Sequence, residues 1–226
     1  MPHSLTLRGS SILERYFSEI IRLIYTRLDS PAGTDLFKLR LVRFYHLVSA
    51  LYDPQRGYGA DYFIAASDNV QEGSFVPVYL KIILPLTQQL AKPLDRKCAV
   101  ISLTKTLTFS AKFALKYVKG WGLTCEALIK LLEMPPLPTT NDGIVVEQDV
   151  DDLSFGVGFT QLNTCKRQPR DIWPEVTDVK PWVGQYYIAA NQTHDGKLLP
   201  WIRERLNPEK PELAQAFISY LNMSTA

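Results

Sequence analysis

Apolar residues recur at spacings of three and four along most of this chain. The first such stripe begins beside Ser11 and Glu14, a capping-box pattern, and contains Leu13, Phe17, Ile20, Ile24 and Leu28. These spacings place side chains on one face of an α-helix, and that face must be buried against another element. The chain is therefore predicted to be all-α.

Turn-forming residues divide the stripes into helices. The run Asp29–Gly33 ends the first helix, and Thr34 can cap a second one, with a stripe of Phe37, Leu41, Phe44, Val48 and Leu51. Because this loop is very short, we expect the two helices to be antiparallel. Six further helices are predicted. One spans 60–70, one follows Ser74 and is kinked at Pro85, and one begins at Pro93. Another ends at Leu132, before the prolines at 135 and 136, and the last two span 181–190 and begin near Pro211.

Antiparallel pairs that return at roughly forty-residue intervals are typical of HEAT or armadillo repeats. The predicted fold is therefore an α-α superhelix, a HEAT/armadillo-like solenoid, with a plain helical bundle as the alternative. The strand-like patch at 144–146 is too short to found a sheet.

The predicted organisation is a flexible N-terminal tail over 1–10 and one HEAT-repeat region over 11–226, with an acidic loop at 139–152. The chain has 25 basic and 23 acidic residues, a net charge of +2. This balance gives no general reason to expect nucleic acid or a membrane surface as a partner.

No catalytic, cofactor or metal pattern is recognisable. The histidines (His3, His46, His194) and the cysteines (Cys98, Cys125, Cys165) are too dispersed for a zinc motif. We predict that His46 is an ordinary surface or hydrogen-bonded histidine, and that the cysteines are small buried apolar groups. No enzyme class and no cofactor is predicted.

Two charge features are candidate partner-binding sites. A row of basic residues at helical intervals includes Lys105, Lys112 and Lys116, and an acidic segment includes Glu147, Asp149, Asp151 and Asp152. Each also has a plain interpretation: a solvated helix face for the lysines, and a self-repelling surface loop for the acids.

Several segments, in order, resemble one family. Residues 95–107 (DRKCAVISLTKTL) resemble a helix of the CAS-type exportins, and residues 82–85 (IILP) resemble the helix before it. Residues 119–121 (KGW), 131–135 (LLEMP), the acidic loop and residues 159–162 (FTQL) continue the match. The co-linear order over most of the chain carries this resemblance, which is to the C-terminal part of the family's much longer members.

The resemblance implies an importin-beta-like HEAT superhelix that binds importin-alpha together with Ran-GTP. Such receptors pass through nuclear pores, contact nuclear pore proteins, and return importin-alpha from the nucleus to the cytoplasm without catalysis of their own. The repeats that carry the family's main Ran site are not in this sequence.

Two other functions remain open. A HEAT or armadillo scaffold unrelated to Ran would have the same fold and composition. The lysine row could also indicate an RNA-binding helical repeat, although the near-neutral charge and the lack of a repeated base-reading position argue against it.

Overall fold

A computed structural model of the chain describes residues 10–31, 33–53, 58–135, 171–206 and 208–223. Within these ranges there is no strand, and Asp53 and Tyr58 form an isolated β-bridge. The prediction of an all-α fold is confirmed. In chain order the elements are α1 (Ser10–Leu28), α2 (Asp35–Ala50), α3 (Ala60–Val70), α4 (Phe75–Val78), a π-helical turn (Tyr79–Ile83), α5 (Leu84–Thr87), α6 (Pro93–Phe109), α7 (Ala111–Leu115), α8 (Val118–Glu133), α9 (Val179–Thr193), α10 (Leu198–Arg205) and α11 (Pro211–Met223).

Helices α2, α6 and α9 form one layer and run in the same direction. Arg43 pairs with Asp95 at 2.7 Å, and further along both helices the Lys105 ammonium donates to the carbonyl of Ala50 at 2.7 Å. The segment leading into α9 packs on the middle of α6, and the Phe109 ring at the end of α6 meets Tyr186 at 5.9 Å. Contacts further along one helix are therefore made further along its neighbour, so the three helices are parallel.

A second layer contains α1, α3, α8 and α11. The Phe17 ring lies 4.6 Å from the Tyr62 ring, and Tyr25 donates to the Ser67 hydroxyl at 2.7 Å, so α1 and α3 are parallel. At the other end of the chain, Lys210 pairs with Glu126 at 2.8 Å and Tyr220 hydrogen-bonds Glu133, which makes α8 and α11 parallel as well.

The two layers run in opposite directions. Phe17, early in α1, meets Phe44, late in α2, at 5.9 Å, whereas Arg27, late in α1, lies 5.0 Å over the ring of Phe37, early in α2. The predicted antiparallel arrangement of α1 and α2 is confirmed, although α1 packs more closely on α3. Two antiparallel layers with neighbour-to-neighbour contacts are the architecture of an α-α superhelix.

The centre of the fold is α6, which is buried on nearly every side by α2, α8 and α9. Four hydroxyl residues of this helix are buried: Ser102, Thr104, Thr106 and Thr108. The three threonines each donate to the carbonyl four residues back, at 2.8–2.9 Å, so their hydroxyls need no partner from another helix.

His46 connects α2 to two other elements inside this core. The Thr87 hydroxyl donates to the carbonyl of Ile83 at 2.6 Å, so its oxygen accepts from His46 Nε2 at 2.8 Å. Nδ1 then accepts from the Ser102 hydroxyl at 3.0 Å. Burial lowers the pKa of His46 to about 3, and the imidazole is neutral. Of the two predicted alternatives for His46, a surface histidine or a hydrogen-bonded one, the second is confirmed.

The predicted kink at Pro85 takes the form of a π-helical turn. Proline has no N–H to donate, and the backbone before it widens so that the Leu84 N–H reaches the carbonyl of Tyr79, five residues back. Buried residues of this segment include Tyr79, Ile83 and Leu84.

Some local predictions were wrong. Helix α1 begins at Ser10, one residue before the predicted cap at Ser11. Its most buried residues are Phe17, Ile21 and Tyr25. Of these, Phe17 belongs to the predicted stripe, whereas its members Ile20, Ile24 and Leu28 are partly buried. The spacing of apolar residues also predicts Leu123 on the apolar face of α8 and Tyr186 on that of α9. Leu123 is instead 46% exposed, and Tyr187 is buried rather than Tyr186.

Two short helices were not predicted. Helix α7 is capped by the Ser110 side chain, and α10 by Asn191, whose Oδ1 accepts from the N–H groups of Leu198 and Leu199 at 3.0 and 3.2 Å. The bounds of α3, the Thr34 cap, and the starts of α6 and α11 are as predicted.

Several predictions lie outside the described residues. These are residues 1–9 of the predicted tail, the acidic loop at 139–152 and Cys165. The sequence also has a helical pattern over 154–165, weakened by Gly156 and Gly158, and this segment lies outside the described residues too.

Gly122 fixes the approach of α8 to the end of α10. A Cβ at this position would lie 2.1 Å from the carbonyl oxygen of Arg205, which is a backbone atom and cannot swing aside. We expect Gly122→Ala to lower the free energy of unfolding by about 1–3 kcal/mol, despite the better helix propensity of alanine. Urea denaturation would measure the change. Gly120→Ala in the same helix is the matched control, because its Cβ would be 3.4 Å from side chains only. Equal stability of the two variants would contradict this packing.

His46 makes stability depend on pH. Its pKa in the folded chain is about 3, whereas an unfolded histidine titrates near 6.5. Below pH 6.5 the imidazole of His46 binds a proton in the unfolded state but not in the folded one. The contribution of neutral His46 to the free energy of unfolding is therefore complete above pH 6.5 and is lost as the pH falls towards 3. We expect the stability gap between the wild type and His46→Gln to shrink by about 2 kcal/mol between pH 7.5 and pH 5. Denaturation of both proteins at both pH values tests this, and a constant gap would show that the imidazole is not buried neutral.

Candidate partner-binding surface

Lys105, the first lysine of the predicted row, is used inside the protein. Its ammonium donates to the carbonyl of Ala50, in the last turn of α2. Because α2 ends at Ala50, this carbonyl lacks the usual helical partner four residues on. Burial lowers the pKa of Lys105, with Glu175 and Asp53 acting in the opposite direction. Lys105 therefore caps a helix end, where a cation also meets a favourable dipole.

Lys112 lies on the surface but is paired. Its Nζ is 3.2 Å from Asp68 Oδ2, and both side chains are partly buried. Beside this pair, the Asp61 carboxylate accepts from the Ala111 N–H at 2.9 Å and from the Ser110 hydroxyl. These contacts attach the start of α7 to α3.

The basic residues upstream are also engaged. Lys97 pairs with Asp171 at 2.6 Å, and Arg96 donates to the carbonyls of Leu90 and Pro135 at 2.7 and 3.2 Å. Most of the row therefore holds helices together and does not form a continuous basic surface.

Lys116 and Lys119 are different, because both are exposed at the edge of a groove. The Lys116 ammonium lies 5.4 Å from the centre of the Tyr117 ring, a cation–π distance. The groove, about 460 Å³ in volume, runs between the start of the α4 segment and the α7–α8 junction. We call it the apolar groove; the residues that line it are Phe75, Val76, Tyr79, Leu80, Phe113, Lys116, Tyr117, Val118, Lys119 and Gly120.

The floor of the apolar groove is an aromatic cluster. The rings of Phe75 and Tyr79 stack at 5.1 Å, and Phe113 meets Tyr79 edge to face at 5.2 Å. Tyr79 donates to the Thr124 hydroxyl at 2.7 Å, which fixes its orientation, because Thr124 itself donates to the carbonyl of Gly120. Aromatic pairs in these geometries are favourable and rigid, so the floor is pre-formed.

The rim of the groove leaves apolar side chains in water. Leu80 is 37% exposed and Val118 is 40% exposed. Leu115, the residue before the groove-lining Lys116, is 81% exposed. An exposed apolar patch edged by polar groups is typical of an interaction site.

The structure does not bring the predicted site residues together. Lys105, Lys112 and Lys116 lie in different environments, and the acids Glu147, Asp149, Asp151 and Asp152 lie outside the described residues. Sequence reasoning missed the apolar groove. The available signal was the cluster over 115–119 (LKYVK), in which two lysines lie among apolar residues.

The described ranges hold no metal-ligand cluster, no membrane-spanning helix and no reactive cysteine. They contain no group of three or more His, Cys, Asp and Glu side chains that could hold a metal ion, and no helix there is long and apolar enough to cross a membrane. Cys98 and Cys125 are free thiols, and burial raises the pKa of both, so they are protonated and unreactive.

Similarity to known proteins agrees with this architecture. The chain is 31% identical over 221 residues to the importin-alpha re-exporter of Schizosaccharomyces pombe, covering 94% of this chain and 22% of that protein. It is 27% identical over 208 residues to exportin-2 of Xenopus laevis, covering 91% of this chain and 21% of the relative. The chain thus spans about a fifth of the length of the curated relatives it matches.

A solved structure has the same fold. The exportin Cse1 in its cargo-free, cytoplasmic state superimposes with a TM-score of 0.70 at 20% identity, over 96% of this chain and 21% of that one. The prediction of a HEAT-like solenoid is confirmed. The sequence model of the family described as CAS/CSE protein, C-terminus, matches residues 4–217. This chain therefore belongs to the CAS/CSE family, and it corresponds to the C-terminal part of that family's proteins.

Proposed function

We propose that this chain is part of a nuclear export receptor that binds importin-alpha together with Ran-GTP and returns importin-alpha to the cytoplasm. The observation that supports this is the match of residues 4–217 to the C-terminal family model. Two relatives named as importin-alpha re-exporters are matched over 94% and 84% of the chain. Since the chain spans about a fifth of those proteins, it would act as one arch of a longer receptor.

The architecture suits a receptor better than a catalyst. A two-layer solenoid presents an extended surface on which many weak contacts sum. If importin-alpha and Ran-GTP both prefer one curvature of the superhelix, each raises the affinity for the other, and the coupling is reciprocal. Loss of the GTP state then releases the cargo, with the hydrolysis carried out by Ran and not by this chain. Such a receptor shuttles between nucleus and cytoplasm and contacts nuclear pore proteins.

The competing functions are less well supported. An RNA-binding surface needs accessible basic residues, whereas Lys97, Lys105 and Lys112 are engaged in contacts within the protein. A scaffold unrelated to Ran would not account for the family membership.

The nucleotide state of Ran tests the proposal. We expect the full-length receptor containing this region to capture importin-alpha when Ran carries GTP and to release it when Ran carries GDP. Binding titrations at fixed salt would measure both affinities. Capture that is the same with either nucleotide, or with Ran omitted, would favour the unrelated scaffold.

The acidic segment is proposed to contact a basic surface of a partner. We expect neutralisation of Glu147, Asp149, Asp151 and Asp152 to Gln or Asn to weaken partner binding about three- to thirty-fold, because a single charge pair at a solvated interface contributes modestly and the four sum. The melting temperature should not fall. The matched control neutralises four exposed acids elsewhere, Glu72, Glu175, Glu204 and Glu212, and should leave binding within twofold. Equal effects of the two sets would remove the acidic segment from the interface.

A further inference from the structure

The apolar groove is a surface for which the transport role gives no specific use. Its floor is fully buried aromatic rings, but its walls, Leu80 and Val118, are more than a third exposed. Leu115, which precedes Lys116 in the sequence, is 81% exposed as well. Covering these side chains would remove apolar surface from water, which is the largest favourable term in most protein association.

The charge at the groove has one sign. Among the described residues that line it there are two lysines, Lys116 and Lys119, and no acid. Asp68, on the neighbouring helix α3, already pairs with Lys112. The rim therefore favours a ligand that carries carboxylates beside its apolar groups.

We propose that the apolar groove binds an acidic amphipathic peptide segment of a partner protein. Apolar side chains of the segment fill the space between Val76, Leu80 and Val118, and its carboxylates face Lys116 and Lys119. A volume of about 460 Å³ has room for a few side chains but not for a folded domain, so the partner contributes a short segment. This inference goes beyond the proposed transport function and does not rest on it.

A second copy of this chain is a poorer occupant. In a two-fold contact through the groove, the same patch faces itself, and Lys116 and Lys119 of one copy would face those of the other. Like charges placed opposite each other oppose such a dimer. An acidic peptide removes this repulsion and covers the same apolar walls.

Selection from a random library tests the proposal without assuming a sequence. A phage library of random 16-residue peptides is panned against the 226-residue chain, and affinities of the enriched peptides are measured by fluorescence polarisation. We expect enriched peptides to combine Leu, Ile or Phe with clustered Asp and Glu. Leu80→Asp or Val118→Asp should weaken their binding at least tenfold, and Lys116→Glu with Lys119→Glu about three- to thirty-fold.

Matched variants control for these changes. Leu199→Asp alters an equally exposed leucine on α10, 38% exposed, and Lys197→Glu with Arg203→Glu makes the same change of charge away from the groove. Both should bind the selected peptides as the wild type does. Circular dichroism of each variant verifies the helical fold. Failure of the Ran-dependent capture described above would leave this binding unchanged, so the two proposals fail separately.

Several outcomes would overturn the proposal. These are no enrichment on the wild type, enrichment of basic or neutral peptides, peptides insensitive to the groove variants, and sedimentation of the wild type as a dimer that Val118→Asp dissociates. Enrichment that appears only after Glu147, Asp149, Asp151 and Asp152 are neutralised would identify the chain's own acidic segment as the occupant, and would also reject an external partner.

Discussion

The fold depends on the burial of α6 between two layers of helices. A helix that is covered on nearly every side must satisfy all of its polar groups within the protein, because an unpaired buried polar group is costly. The threonines of α6 meet this requirement by donating to carbonyls of their own helix, and Ser102 meets it through His46. A central helix of this kind can contact α2, α8 and α9 at once, and those contacts set the direction of each layer.

The same requirement determines what the basic residues do. Lys105 completes the carbonyl end of α2, and Lys97 and Lys112 pair with acids of neighbouring elements. A row of lysines in the sequence therefore becomes a set of separate attachments between helices. Lys116 and Lys119 differ from these. They lie where α7 meets α8, at the edge of the apolar groove, and no acid is among the described residues that line it.

Helix positions could be predicted well from the sequence, and the binding surface could not. The spacing of Val100, Leu103 and Leu107 and the proline at 93 predict α6, because periodicity and chain breakers act locally. The short helix α10 was missed because its cap comes from Asn191, a side chain on the preceding helix, and it contains Pro200. The exposure of Leu123 and the pairing of Lys112 depend on helices far away in sequence, so no local pattern reports them. The acidic candidates at 147–152 stay predictions.

The π-helical turn before Pro85 has a consequence for the length of its segment. A turn that closes five residues back holds one residue more than an α-helical turn, so every side chain after it is rotated by about 100° around the axis. Thr87 faces His46 Nε2 only with that rotation included. A deletion of one residue between Tyr79 and Leu84 would keep the composition almost unchanged, yet it would turn the Thr87 hydroxyl away and leave a buried imidazole nitrogen unbonded. The spacing of these residues is thus constrained by a histidine 41 positions earlier in the chain.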